Sequence, residues 1–304
     1  MLLSGLSYKL QYRRTSFRLE HIPRRPLCYA ALNGNVQLSE MLLLSNAEQH
    51  SELHVPPADL EMGLLCAVYG GSLDVIRLVL HHLSQRTAGA SKIASSHNNI
   101  PHPSQDWLAG ALQVASRLWN VPVVELLLAN GADADVPCIS WGGRLTWDSA
   151  IEAALDEPAC QGFAFETIKS LVDWGGAVTG GALAAAANAA DTTTVELLLD
   201  TGRVHADAPS REWGSALQAA IRAEERDTVE LLLHRGADPN ARGGKYGSPM
   251  DAAIIGWSED MIELLLDHGA KPDRTYHRPK GDSVFWKPNY TWFWSLKRVE
   301  NATE

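Results

Sequence analysis

The chain has 304 residues, of which 45% are hydrophobic and 20% are charged, a composition that excludes wholesale disorder. No stretch of the sequence approaches the roughly 18 uninterrupted apolar residues that a transmembrane helix needs. The net charge is −10, but residues 26–270 hold 13 basic and 31 acidic residues for a net charge of −18, which argues against duplex nucleic acid as a partner.

The N-terminal segment, residues 1–25, is basic: it has six basic residues and one acidic residue, Glu20. We predict that this segment caps the acidic region that follows. Mitochondrial import is the alternative, because presequences are also rich in Arg and poor in acidic residues. A secretory signal is not expected, since the segment lacks a continuous apolar stretch.

An internal repeat occupies residues 26–275. A cassette of small and apolar residues, such as Gly214–Ala220, is followed by an apolar triplet, such as Leu231–Leu233. In six of seven copies, 14 residues separate the cassette's first large apolar residue from the start of the triplet. The fourth copy has 19, from Ile151 to Ser170, with an insertion around Pro158–Phe165. The six pairs are Leu27 with Met41, Leu64 with Leu78, Leu112 with Leu126, Leu183 with Leu197, Leu217 with Leu231, and Met250 with Leu264.

Each copy has the pattern of two short helices. In the sixth copy, we predict a break near Arg226–Asp227 and a second helix over Thr228–His234, which ends before Gly236. One helix pair cannot bury its own leucine ridge, so neighbouring pairs must stack. The sequence therefore predicts an all-α array of about seven stacked helix pairs in which the first large apolar residue of each cassette is buried.

This pattern resembles the ankyrin repeat. Three segments carry the resemblance best: Pro26–Ala31 with Gly34, Val123–Leu128 with Gly131-Ala132-Asp133, and Val229–Leu233 with Gly236–Asn240. The Gly-Ser-Ala-Leu-Gln-Ala-Ala form at 214–220 is similar to that of filamentous fungal ankyrin repeat proteins. The His of the family's cassette is replaced here by Cys28, Gln113, Glu152, Gln218 and Asp251.

The resemblance implies an ankyrin-repeat solenoid with short hairpin-like fingers. It also implies a non-enzymatic scaffold that binds a protein partner through the fingers and a concave face. The alternative is an accessory protein of a biosynthetic pathway, such as one of secondary metabolism, with a small-molecule pocket or a weak catalytic role. The absence of any catalytic motif favours the scaffold.

Two segments outside the regular pattern have separate interpretations. Residues 84–106 lack an apolar period and are interpreted as an inserted loop. Residues 276–304 contain many aromatic residues, and we predict that they cap the last repeat. An interaction or membrane-surface segment is the alternative for this tail.

The candidate partner-binding residues are aromatic and cationic residues of the predicted fingers. They are Trp141, Arg144, Trp147, Arg211, Trp213, Arg242, Lys245 and Tyr246. For the tryptophans, packing against the helices is the alternative. No catalytic, cofactor or metal site is predicted, and we expect a monomer. The four cysteines lie far apart without a Cys-x-x-Cys pair, so a reducing compartment is expected, cytoplasmic or else nuclear.

Overall fold

The computed structural model describes residues 26–44, 57–91, 106–136, 138–139, 145–147, 149–156, 164–256 and 258–271. The two predicted caps, residues 1–25 and 276–304, lie outside the described residues. The predictions for those segments therefore stay predictions.

The described residues form fourteen helices in seven consecutive pairs, which confirms the predicted all-α repeat. In chain order the pairs are α1 (Pro26–Leu32) with α2 (Val36–Leu44), α3 (Pro57–Gly70) with α4 (Leu73–Ser91), α5 (Asp106–Arg117) with α6 (Val121–Ala129), α7 (Ala150–Leu155) with α8 (Phe165–Asp173), α9 (Gly180–Asn188) with α10 (Thr192–Asp200), α11 (Ala216–Arg222) with α12 (Arg226–His234), and α13 (Pro249–Gly256) with α14 (Glu259–Asp267).

The pairs stack through their first helices. Each first helix packs on the first helix of the next pair, and most second helices also contact their successors. Alanines make the close approach possible: Ala219 and Ala220 of α11 are fully buried, as are Ala252 and Ala253 of α13. The core therefore runs as one continuous layer between successive pairs, as expected for a repeat that cannot bury its apolar face alone.

The prediction that the first large apolar residue of each cassette is buried is confirmed. All seven first residues are buried, from Leu64 at 0% to Met250 at 4% exposed. The first residue of the triplet is half-buried in most repeats, and Met41 is 68% exposed. The fully buried position is instead the next one, since Leu127, Leu198, Leu232 and Leu265 are each 0% exposed. Helical geometry turns the second leucine, not the first, towards the stacked pairs.

Two predicted boundaries are corrected by the structure. The second helix of the sixth repeat begins at Arg226, and the break before it lies at Ala223–Glu225. There the Glu225 amide donates to the Ala220 carbonyl over 3.2 Å. Helix α4 continues to Ser91, into the segment 84–106 interpreted as a loop, while residues 92–105 lie outside the described residues.

Polar residues fix the ends of the helices. The side chains of Ser149, Thr179, Asp191 and Ser215 accept hydrogen bonds from backbone amides of the first turns of α7, α9, α10 and α11. In four repeats a glycine follows the second helix, and its φ lies between 65° and 89°. These glycines are Gly131, Gly202, Gly236 and Gly269.

Hydrogen bonds on the finger side connect successive repeats. Asp135 accepts from the Ala177 amide over 2.6 Å, and Asp207 accepts from the Asp238 amide over 2.7 Å. Asn240 repeats the contact with the Lys271 amide over 2.7 Å. Each of these bonds joins the segment that follows one second helix to the corresponding segment of the next repeat.

The residues that replace the family's His also connect repeats. Gln113 donates to the Val136 carbonyl over 2.9 Å, and Gln218 donates to the Gly243 carbonyl over 3.2 Å. In the fourth repeat, Glu152 accepts from the hydroxyl of Thr179 over 3.0 Å. Glutamine and glutamate thus hold the following repeat in the absence of a histidine.

Candidate functional site

Three fingers can be described in the structure. The first is a hairpin of two antiparallel strands, β1 (Cys138–Ile139) and β2 (Leu145–Trp147). It lies within residues 136–148, the predicted finger that carries the candidates Trp141, Arg144 and Trp147, which we name the 136–148 finger. The other two are tighter turns, which we name finger 210–214 and finger 243–247. Each is closed by a backbone hydrogen bond: the Ser210 amide donates to Gly214 over 3.1 Å, and the Gly243 amide donates to Gly247 over 2.9 Å.

Fingers 210–214 and 243–247 contact each other through their backbones. The main chain of Gly214 lies so close to that of Gly244 that a Cβ on either residue would overlap the other. Both residues have positive φ values, 87° and 69°, which glycine adopts without a steric penalty. The Gln218 side chain also donates to the Gly243 carbonyl from below, over 3.2 Å. The two fingers are therefore held side by side by main-chain packing.

This contact brings two aromatic rings together. The rings of Trp213 and Tyr246 stack with centroids 6.4 Å apart and an angle of 25° between their planes. Both residues are half-buried. An offset stack of this kind is a favoured arrangement for aromatic side chains.

Two cations lie against the Tyr246 ring. The guanidinium carbon of Arg222 is 5.5 Å from the ring centroid, and the Nζ of Lys245 is 5.6 Å from it. Both distances are within the range of cation–π attraction. We name Trp213, Arg222, Lys245 and Tyr246 the ring cluster.

Arg222 was not among the residues singled out from the sequence. It lies in the last turn of α11, on the face of Gln218, which is four residues earlier and donates to finger 243–247. The sequence signal that could have identified Arg222 is its position four residues after Gln218, which replaces the family's His. It was missed because the sequence does not show that Tyr246, 24 residues further on, folds back over this turn.

Arg117 and Arg222 are the two half-buried arginines among the residues that the structure describes. Arg117 lies 3.5 Å from the carboxylate of Asp156, and Arg235 binds both Glu196, at 3.2 Å, and Asp200, at 2.7 Å. Arg222 is half-buried, and no carboxylate of the described residues lies within ion-pair distance of it. Its Nε is buried without a hydrogen-bond partner.

The predicted binding residues fall into three groups. Trp213, Lys245 and Tyr246 come together in the ring cluster. Arg211 and Arg242 are exposed on the same two fingers, and each already has an interaction partner. Trp147 is the last residue of strand β2, whereas Trp141 and Arg144 lie outside the described residues.

Comparison with known proteins bears on the fold. Residues 157–243 match the family model described as ankyrin repeats (3 copies). Among solved structures, the ankyrin repeat domain of human ASB11 is similar with a TM-score of 0.56 and 20% sequence identity, over 82% of this chain and 100% of that one. The fold is an ankyrin-repeat solenoid. No curated protein matches the sequence.

Ankyrin repeats are in general protein–protein interaction modules, and the family is generally non-enzymatic. Across the described ranges, no three His, Cys, Asp or Glu residues are grouped so that they could hold a metal ion. In the same part of the chain, no helix combines the length and apolar character needed to cross a membrane.

The buried thiols of the ankyrin repeats do not have the environment of a nucleophile. Cys28 and Cys66 are free and buried in α1 and α3. Contact with Cys28 and burial both raise the pKa of Cys66, so the reactive thiolate is disfavoured. Burial likewise raises the pKa of Tyr69.

Proposed function

We propose that the protein is an interaction scaffold and that fingers 210–214 and 243–247 bind a protein partner. The observation that supports this proposal is the ring cluster, in which a stacked Trp and Tyr lie beside an Arg and a Lys. Trp, Tyr and Arg are the residue types most enriched at the centres of protein interfaces. They occur here on the fingers of an ankyrin-repeat fold, which generally serves protein binding.

The half-buried state of the two rings suits this role. A ring held by neighbouring groups presents its remaining face in a fixed orientation, so a partner can pack on it without ordering it first. The other predicted residues, Arg211 and Arg242, would lie towards the rim of the surface. We propose that Trp141, Arg144 and Trp147 of the 136–148 finger contribute to the same binding function.

We also propose that the protein works as a monomer in a reducing compartment, the cytoplasm or the nucleus. The free, buried thiols of Cys28 and Cys66 support the compartment. Size-exclusion chromatography with light scattering tests the monomer, and a fluorescent fusion in the source cells tests the location.

The experiment that tests the binding surface begins with capture of a partner from the organism's own extract on the immobilised chain. The affinity of the identified partner is then measured for the chain and for the double variant Trp213→Ala/Tyr246→Ala. We expect the double variant to lose about 1 kcal/mol or more of binding free energy, because both interface anchors are truncated.

The matched control is Trp174→Ala. Trp174 is also an exposed aromatic residue, 54% exposed, but it follows the second helix α8 of the fourth repeat and belongs to neither finger 210–214 nor finger 243–247. We expect this variant to bind normally. If the double variant remains folded by circular dichroism and its affinity is unchanged, the proposed binding surface is wrong. If Trp174→Ala loses as much binding free energy as the double variant, binding is not specific to fingers 210–214 and 243–247.

A further inference from the structure

We infer that the ring cluster binds an acidic peptide segment of the partner, with a carboxylate of that segment accepting hydrogen bonds from Arg222. This inference rests on the proposed function and adds the chemistry of what is bound.

The first argument is the unpaired charge of Arg222. A half-buried guanidinium costs free energy unless an acceptor or a counter-charge compensates it. The other half-buried arginine, Arg117, and the more exposed Arg235 both have carboxylate partners. Within the described residues the fold provides Arg222 with the face of Tyr246 and no such partner. Because the Nε itself is buried, a carboxylate from another molecule would compensate the charge through the terminal nitrogens of the guanidinium.

The second argument is geometric. The guanidinium carbon of Arg222 is 5.5 Å from the Tyr246 centroid, and the N–H donors of a guanidinium lie along the edge of its plane. Carboxylates bind guanidinium groups along that edge, often with two hydrogen bonds. The contact with Tyr246 therefore holds Arg222 in place without consuming the donors that a carboxylate needs.

The third argument is the local charge. Residues 210–214, residues 241–248 and Arg222 together carry four cations and one carboxylate, that of Glu212. Nearby, Asp207 and Asp251 accept hydrogen bonds from the Asp238 amide and the Ser248 hydroxyl. This basic surface lies in a region of the chain, 26–270, with a net charge of −18. An acidic segment is attracted to the fingers and repelled by the remaining surface, which localises it at the ring cluster.

The same charge distribution favours a peptide over a nucleic acid. A duplex carries a phosphate charge about every 1.7 Å along its axis, and the net charge of −18 of residues 26–270 would repel it. A short acidic segment can place its few charges on the cations alone. The stacked rings also offer apolar contact for the peptide's backbone and side chains.

The test measures peptide binding to the full chain by fluorescence anisotropy. The probe is a fluorescein-labelled peptide of alternating Glu and Ser, and the control probe carries Gln in place of each Glu. We expect the Glu probe to bind and the Gln probe to bind at least about tenfold more weakly. Added salt should weaken binding of the Glu probe.

Two arginine variants of the same repeat provide the matched comparison. Arg222→Gln should weaken binding of the Glu probe by about tenfold, and Arg222→Lys should restore part of it because the charge returns without the planar donors. Arg226→Gln removes an arginine of α12 that pairs with Glu230 and should change binding by less than about twofold. Thermal melting monitored by circular dichroism verifies that each variant is folded.

Three results would overturn the inference: equal affinity of the chain for the Glu and Gln probes, equal effects of the Arg222→Gln and Arg226→Gln variants, or tighter binding of a DNA duplex with the same dependence on Arg222.

Experiments with the captured partner distinguish failure of this inference from failure of the proposed function. If Trp213→Ala/Tyr246→Ala abolishes capture but excess Glu peptide does not displace the partner, the surface stands and the acidic segment is rejected. If the Glu probe binds through Arg222 but the double variant still captures the partner, the acidic preference stands and the surface is rejected.

Discussion

The first and sixth repeats keep the same spacing but bury their second helices very differently. In the first repeat, α2 leaves four apolar side chains exposed by 37% to 68%. In the sixth repeat, Val229 and Leu232 of α12 are 0% exposed. The exposed residues of α2 are Val36, Leu38, Met41 and Leu44. The repeat pattern thus determines where the helices form, whereas the neighbouring pairs determine how deeply each helix is buried.

The two regions also differ in their polar contacts between second helices. Arg235, just after α12, reaches back to Glu196 and Asp200 of α10. The hydroxyls of Thr192 and Thr228 lie 2.7 Å apart and join the same two helices. Such contacts add to the apolar packing of repeats five and six. We therefore expect the C-terminal block of repeats to be the more stable part of the array.

The largest expected effect is on the free energy of unfolding of Leu232→Ala. Leu232 is 0% exposed, so truncation removes packing and leaves a cavity, at a cost of about 2–5 kcal/mol. The matched variant Met41→Ala truncates a side chain that is 68% exposed and should cost less than about 0.5 kcal/mol. Urea denaturation measures both. Similar costs for the two variants would show that the repeats are equally buried in solution.

A second, smaller effect is expected in native-state hydrogen exchange. Amides of the second helices at 197–199, 231–233 and 264–266 should exchange at least about tenfold more slowly than those at 41–43 and 78–80. The reason is that local opening of the well-packed repeats exposes more apolar surface. Mass spectrometry of peptic fragments measures the exchange rate of each segment. Faster exchange in the C-terminal block would contradict the prediction that this block is the more stable part of the array.

The smallest effect concerns Glu61 in α3 of the second repeat. Burial raises the pKa of this carboxyl above its ordinary value of 4.5, so the folded protein favours the protonated form. The stabilising contribution is present below the unfolded pKa and is lost as the pH rises through the folded pKa. Glu61→Gln should therefore flatten the dependence of Tm on pH in the acid range and leave the variant slightly more stable at neutral pH.

The control for this measurement is Glu263→Gln, which removes a charge from an exposed position of α14. It should not change the slope of Tm against pH in the way that Glu61→Gln does. A wild-type slope in the Glu61 variant would show that the desolvation of Glu61 has no consequence for folding.

The repeat architecture was predictable from the sequence because it depends on local features that recur. The separation of 14 residues, the buried cassette residues such as Leu217 and the glycines such as Gly236 each recur in several copies. The ring cluster was only partly predictable, because it depends on contacts between repeats. Trp213 and Tyr246 were identified as finger residues by composition, but their stacking follows from the backbone approach of Gly214 and Gly244.

The backbone contact between Gly214 and Gly244 has a consequence for the kinetics of binding. Since the main chain itself sets the separation of the two rings, few torsions remain to be frozen when a partner arrives, and little conformational entropy is lost. A partner seated there would need no slow rearrangement of the fingers. Its association rate would then depend mainly on long-range attraction to the cations around the rings. Because salt screens that attraction, salt would slow association more than it speeds dissociation.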